Sequence, residues 1–187
     1  MPELDGSAHF NLFLLRNFLD PDSCARLRAE LALAPMTQAP VYVEGTEGTV
    51  HETIRKTTSL HPADETIDRI RGRLLRQKSA LEGHFGTSLT DCERPQFLRY
   101  EKGDFFVRHQ DGNTDQLDFD HLRVRRVSIV VFLNDSFSGG SLSFYDPPTT
   151  FALMGETGLL VAFRSDTLHE VLPVTSGERF TIVSWFR

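Results

Sequence analysis

Seven histidines are spread along this chain, and a lone histidine is more often structural than a ligand, but one pattern stands apart. His109 and Asp111 form an H-x-D pair at the end of the apolar run DFFVRHQD. If that run is a β-strand, side chains at i and i+2 share one face, so both donors can reach a single metal ion. A catalytic metal needs at least a third protein ligand. His169 opens the run HEVLPV some sixty residues later, after about four further strand-like runs. Two imidazoles and one carboxylate can occupy one face of an octahedron around Fe(II). The opposite face then stays open for a bidentate co-substrate and for dioxygen. Zinc accepts the same ligand types, although its catalytic sites add only a water to three protein ligands.

Ten residues after His169 comes Arg179, in GERFTIVSWF. On a strand, Arg179, Thr181, Val183 and Trp185 fall on one face. If that face points inward, the buried guanidinium needs an anion. Its planar fork suits a carboxylate held by two hydrogen bonds. 2-Oxoglutarate has the matching shape: its keto acid end chelates iron, and its far carboxylate would meet Arg179. An Arg paired with a core carboxylate, or one in solvent on an edge strand, is the competing reading.

These residues must be positioned by the rest of the chain. Residues 10–18, FNLFLLRNF, read as a strand-like run. Asp20-Pro21 supplies an N-cap and a first-turn proline for a helix over 22–33, with Cys24, Leu27, Leu31 and Ala34 at helical spacing and Pro35 as the stop. ETIRKTTSL reads as an exposed strand. A second helix is expected from Pro62 to about His84, with Ile67, Ile70, Leu74, Leu75 and Leu81 on one face and Gly86 as terminator. From about Arg94 the runs QFLRYE, DFFVRHQ, VRRVSIVVFLN, GSLSFYD, GLLVAFR, HEVLPV and RFTIVSWF follow in order. Many short strands at close spacing point to a barrel or a double-sheet jelly roll. The expected architecture is mainly β with N-terminal helices, in one domain over 1–187. Helical support covers about 1–90, and a double-stranded β-helix (jelly roll) core covers about 91–187, buttressed by two or three α-helices.

Bulk properties narrow the function classes. The chain has 187 residues, 40% hydrophobic and 25% charged, with a formal net charge of −6. That acidic balance argues against a nucleic acid as partner. Arg123, Arg125 and Arg126 form the one basic cluster, read as an exposed strand face. Cys24 and Cys92 lack any metal-type spacing and read as reduced thiols. No apolar run reaches the length of a membrane span, and MPELDGSAHF has neither the basic region nor the apolar stretch of a signal peptide. The expected location is cytoplasmic, with no membrane partner.

From about residue 96 onward the chain resembles the prolyl 4-hydroxylase-like branch of the 2-oxoglutarate/Fe(II) oxygenases. RYEKGDFFVRHQD is similar to the family's Tyr-x-x-Gly-x-x-Phe-x-x-x-His-x-Asp segment, with Tyr100, Gly103, Phe106, His109 and Asp111 in place. RRVSIVVFLN resembles its Arg-x-x-Ser-x-x-x-Tyr-Leu-Asn strand, with Phe132 where Tyr is frequent. SGGSLSF resembles its Gly-Gly turn, and the closing block from Gly158 through His169 and Arg179 to Trp185 is similar throughout. The resemblance implies a dioxygenase that hydroxylates a C–H bond, most simply of a prolyl residue in a protein or peptide, releasing succinate and CO2. Its cofactors would be Fe(II), 2-oxoglutarate as co-substrate and O2, with ascorbate as a further expected ligand.

The same resemblance assigns His109, Asp111 and His169 to iron and Arg179 to the distal carboxylate. Tyr100 falls in the co-substrate pocket, Thr181 can add a hydrogen bond, and Trp185 lines the substrate side. Related halogenases lack the carboxylate, so Asp111 points to hydroxylation. Arg108, with the 123–126 arginines, is expected to meet an acidic or peptide substrate. DGNTDQLDFDH, over 111–121, reads as a solvated loop or part of a lid. A small-molecule substrate, such as a free amino acid or natural-product intermediate, is the alternative. The sequence leaves the oligomeric state open.

Overall fold

Asp20 starts the first long helix as its residue type predicts. Its carboxylate accepts the Ser23 amide at 2.8 Å, and Pro21 occupies the first turn. The computed structural model describes residues 3–43, 46–114 and 120–187. A short helix α1 (Glu3–His9) leads to strand β1 (Phe13–Leu15) and helix α2 (Pro21–Leu31). Strands β2 (Met36–Gln38), β3 (Val41–Val43), β4 (Thr46–Thr49), β5 (Arg55–Lys56) and β6 (Thr58–Leu60) precede helices α3 (Asp64–Leu75) and α4 (Lys78–Phe85). Then come β7 (Gln96–Tyr100), β8 (Phe105–His109), α5 (Asp120–Arg123), β9 (Val127–Phe132) and β10 (Phe137–Gly139). The chain closes with β11 (Leu142–Asp146), β12 (Thr149–Leu153), β13 (Leu160–Arg164), β14 (Leu168–Val171), β15 (Val174–Gly177) and β16 (Arg179–Phe186).

Two sheets face each other. The larger has the order β1-β13-β9-β16-β7-β6-β2, and the smaller β12-β11-β14-β8-β5. The inner four strands of the larger sheet (β13, β9, β16, β7) and the four of the smaller one (β12, β11, β14, β8) are the eight strands of a jelly roll. Alternation decides what each face touches. In β16, Phe180, Ile182 and Phe186 join the core formed with Cys24, Leu27, Ile70, Leu74 and Leu81 of the helices. The same sheet's other face meets the smaller sheet through Leu98, Val130, Phe132, Phe144, Val161 and Phe163. Strand β9 is therefore buried along its whole length, and its run VSIVVF is apolar apart from one serine.

Several local expectations are corrected. The strand-like run over 10–18 keeps only three strand residues, because Asn11 and Asn17 take left-handed backbone conformations on either side of β1. The helix expected from Pro62 to His84 is two helices. The Gln77 amide bonds the Leu74 carbonyl, a tight i−3 turn that redirects the chain, and Gly86 then ends α4 at φ 61°. ETIRKTTSL is not an exposed strand, since only Glu52 and Thr53 of the run are exposed. It changes sheets at Thr57, with β5 pairing β8 in the smaller sheet and β6 pairing β7 in the larger, and Arg55, Thr57 and Leu60 are buried. Residues before 91 thus complete both sheets as well as supplying helices. Strands β10 and β12 were not anticipated. Arg125 is also buried rather than on an exposed face, held by Glu93 at 2.8 and 3.0 Å and lying 3.7 Å over the Trp185 ring.

Candidate active site

Strands β8 and β14 are antiparallel neighbours, and the register sets His109 directly opposite His169. Residues sixty apart in sequence thereby bring their rings to a centroid distance of 4.3 Å. Asp111 follows β8 in a turn that is locked from below. The amides of Asp111 and Gly112 both donate to the Ser165 carbonyl, at 2.9 and 3.0 Å. Only glycine fits at 112, since a Cβ there would lie 2.5 Å from the Leu122 carbonyl oxygen and from Arg125 Cβ.

The three side chains converge. Asp111 Oδ1 is 3.4 Å from His109 Nε2, and Asp111 Oδ2 is 3.5 Å from His169 Nε2. All the donor atoms lie within 4.8 Å of one another, and the described residues hold no other such His, Cys, Asp and Glu group. Two ligands bound at about 2.1 Å and at right angles stand about 3 Å apart. The donor set therefore fits a divalent ion with small rotations. The other ring nitrogens fix the tautomers. His109 Nδ1 lies 2.7 Å from the Val107 carbonyl, and His169 Nδ1 lies 2.9 Å from the Thr167 carbonyl. A carbonyl only accepts, so each Nδ1 carries the proton and each Nε2 keeps its lone pair for a metal.

Electrostatics agree with that assignment. Burial pushes His169 down to about 4, and His109 beside it adds to the effect, so the ring is neutral at physiological pH. Burial alone would raise the Asp111 carboxyl. Neighbouring charge, of which Arg125 is the permanent cation, outweighs it and holds the group below the usual carboxylate range. His109 is further fixed by Phe106, whose ring stacks on it at 3.6 Å.

The triad opens into a small cavity of about 50 Å³ between the sheets. Leu98, Val130, Leu142 and Val171 give it apolar walls, and Arg179, Thr181, Val183 and Trp185 all line it, as the alternation of the last strand predicts. Arg179 is 1% exposed. It bonds Thr181 Oγ1 at 3.3 Å, Nε has no partner, and no carboxylate among the described residues pairs with it. Burial pushes its pKa down to about 10, with Tyr100 opposing, so it stays cationic at neutral pH. Tyr100 faces it across the β7–β16 pair, with the guanidinium 5.0 Å from the rings of both Tyr100 and Phe132. Gly140 leaves the room this needs, because a Cβ there would stand 3.0 Å from Arg179 Cδ.

Arg55 lines the same cavity and was not singled out by the sequence, where it lay in a run read as exposed. It donates to the Pro40 carbonyl at 3.1 Å, sits 4.9 Å over Phe106, and leaves its buried Nε unpartnered. Arg108 is elsewhere. Its side chain lies 3.5 Å over the Tyr145 ring and 3.9 Å from Glu170, and it does not line the cavity. His121 is exposed. Residues 115–119 of the proposed lid lie outside the described residues.

Residues 95–187 match the 2OG-Fe(II) oxygenase superfamily. A PKHD-type hydroxylase of Shewanella sp. strain MR-7 is 28% identical over 182 residues, covering 94% of this chain and 78% of its own. The crystal structure of a Pseudomonas putida prolyl-4-hydroxylase aligns with a TM-score of 0.69 at 26% identity, over 99% of this chain and 97% of that one. A Trichoplax adhaerens prolyl hydroxylase, solved with a hypoxia inducible factor peptide fragment, aligns at 0.74 and 19% identity over 98% and 86%, a likeness of fold. The chain therefore belongs to the 2OG-Fe(II) oxygenase superfamily, on its prolyl 4-hydroxylase-like branch, and is a dioxygenase that works with Fe(II), 2-oxoglutarate and O2.

Proposed function

We propose that this enzyme hydroxylates a C–H bond of a prolyl residue in a protein or peptide, with 2-oxoglutarate converted to succinate and CO2. In this reading His109, Asp111 and His169 hold the iron. Arg179 pairs with the distal carboxylate of 2-oxoglutarate, with Tyr100 and Thr181 beside it. Bound iron and co-substrate supply the oxidising chemistry. The chain's own residues orient them, exclude water and keep both imidazoles in one tautomer. The observation that carries this reading is Arg179, a buried cation in the same cavity as the triad that pairs with no carboxylate among the described residues. A buried charge of that kind is costly unless a ligand pairs with it.

The walls bear on the substrate. Asp111 is the one carboxylate among the lining residues, and the reading above commits it to the metal. The ammonium of a free amino acid would find no uncommitted anion among the described lining residues, whereas a prolyl nitrogen inside an amide carries no charge. Arg55, with its open Nε, suits a peptide carbonyl. It suits the carboxylate of a small molecule equally, which sustains the second reading, hydroxylation of a small acid. Trp185 would flank either substrate, and Arg108 is left without a direct contact.

Anaerobic addition of 2-oxoglutarate to the Fe(II) protein tests the core of the proposal. Keto acid chelation gives a weak visible charge-transfer band, expected in the wild type and lost in His169→Ala. Absence of the band from folded, iron-loaded protein would overturn the site assignment. Succinate formation with proline-containing peptides, set against small carboxylic acids, then separates the two substrate readings.

A further inference from the structure

Ser128 is the one polar residue in the buried strand VSIVVF, and Ser165 follows the apolar run LVAF and Arg164. They are 1% and 0% exposed. A buried hydroxyl is unfavourable unless bonded, so packing alone does not explain two of them side by side. Ser128 Oγ lies 2.8 Å from Asp111 Oδ2 and 3.0 Å from Ser165 Oγ. A hydroxyl has one proton to give, and Ser128 gives it to Asp111 Oδ2, so the direction of the relay is fixed. Ser128 donates to Asp111, and Ser165 must then donate to Ser128. The carbonyl of Ser165 meanwhile holds the amides of Asp111 and Gly112. One residue thus fixes the backbone of the turn, and its hydroxyl begins the relay that fixes the rotation of the carboxylate.

We infer that the Ser128–Ser165 hydroxyl pair is the positioning device that makes Asp111 a one-oxygen metal ligand and so keeps a site open for the co-substrate. This rests on the metal assignment above. Among the described residues Oδ1, near His109 Nε2, has no hydroxyl partner, while Oδ2 is held by Ser128. The consequence follows from counting positions. Two imidazoles and one carboxylate oxygen take three of six octahedral places and leave three, two for the chelating keto acid and one for dioxygen. A carboxylate turned to bind through both oxygens would take a fourth place, and the keto acid and dioxygen could not both bind. Hydroxyls at this depth therefore act on co-substrate binding through Asp111, without touching the co-substrate.

The test compares Ser128→Ala, Ser128→Thr and Ser165→Ala with the wild type and with Asp111→Ala. Co(II) serves as a spectroscopic stand-in for iron. Its dissociation constant, its visible spectrum and the affinity of the Co(II) protein for 2-oxoglutarate are measured, with circular dichroism of each variant as the folding check. Ser128→Ala is expected to weaken metal binding about 10- to 100-fold. It should also change the Co(II) spectrum and weaken 2-oxoglutarate binding to the loaded protein. Ser128→Thr, which keeps the hydroxyl, should stay close to wild type, and Ser165→Ala should fall between. Wild-type metal affinity, spectrum and 2-oxoglutarate affinity in Ser128→Ala would overturn the inference. So would a Thr variant as impaired as the Ala variant, because the hydroxyl would then be irrelevant. Should Ser128→Ala fail to fold, Ser165→Ala decides by the same readouts. Wild-type protein that binds no Co(II), or binds it as well after Asp111→Ala, would overturn the metal assignment and this inference with it. Binding that needs Asp111 but ignores Ser128 overturns the relay alone.

Discussion

Replacing Arg179 with Met should act in opposite directions on the two states of the cavity. Without 2-oxoglutarate, Arg179 is 1% exposed, bonds Thr181 at 3.3 Å, and leaves its Nε without a partner among the described residues. Met occupies much of the same volume without the charge. Replacing a buried charge by an apolar side chain of similar size is often neutral or stabilising. The co-substrate-free variant should therefore melt at the wild-type temperature or above it. With 2-oxoglutarate present, the variant loses a buried, charge-assisted pair. Removing one partner of such a pair costs about 2–5 kcal/mol. At about 1.4 kcal/mol per factor of ten, the apparent KM for 2-oxoglutarate should rise between about 30-fold and a few thousand-fold. Turnover at saturation should fall less, because the lost contact is remote from the reacting atoms. Succinate formation against 2-oxoglutarate concentration gives KM and kcat. Melting of the metal-loaded, oxygen-free protein gives the second readout. The wild type should gain about 2.7 kcal/mol at 100 times its Kd, and the variant less than about 1 kcal/mol at that concentration. A wild-type KM in Arg179→Met would remove Arg179 from the co-substrate site. A loss of several kcal/mol in the co-substrate-free variant would show the guanidinium to be structural.

Asp111→Ala should abolish metal binding and succinate formation while the far-ultraviolet spectrum stays native. Its stability cost should be about 1–3 kcal/mol, from leaving one hydroxyl of the Ser128–Ser165 pair without an acceptor. Sustained turnover would refute the triad. Gly112→Ala should lower both melting temperature and metal affinity, since the added Cβ would press on the Leu122 carbonyl and Arg125. Normal metal affinity in that variant would show that the turn tolerates movement. Burial pushes the thiols of Cys24 and Cys92 up to about 11 from an ordinary value of 9.0. A raised folded-state pKa gives stability that is full below pH 9 and lost as pH rises towards 11. Denaturant titrations should show a decline across that window, flattened in the Cys24→Ala, Cys92→Ala double variant. An equal decline in both proteins would assign it to other groups.

Much of the site was legible because its signals are local. Strand alternation is a property of the backbone, and H-x-D marked His109 and Asp111 as neighbours, although Asp111 lies in the turn after β8 and is brought to His109 by that turn. The same period set Arg179, Thr181, Val183 and Trp185 on one face of β16, and all four line the cavity. Helical spacing likewise marked Cys24, Leu27, Leu31, Ile70 and Leu74 as core. Other features depend on contacts between distant segments. The pairing of β8 with β14 puts His169 opposite His109, and nothing near either histidine encodes that register. Arg55 sits in a run that looked exposed, and it is buried because the chain changes sheets at Thr57. Arg125 looked like one of three surface arginines until Glu93 and Trp185 were seen to enclose it. The Val107 and Thr167 carbonyls carry no side-chain signature at all, yet they set the tautomers of both imidazoles. Residue type and spacing determined which chemistry this chain can perform. Only the tertiary structure decided which residues meet, because pairing across sixty residues is settled by burial summed over both sheets rather than by any local pattern.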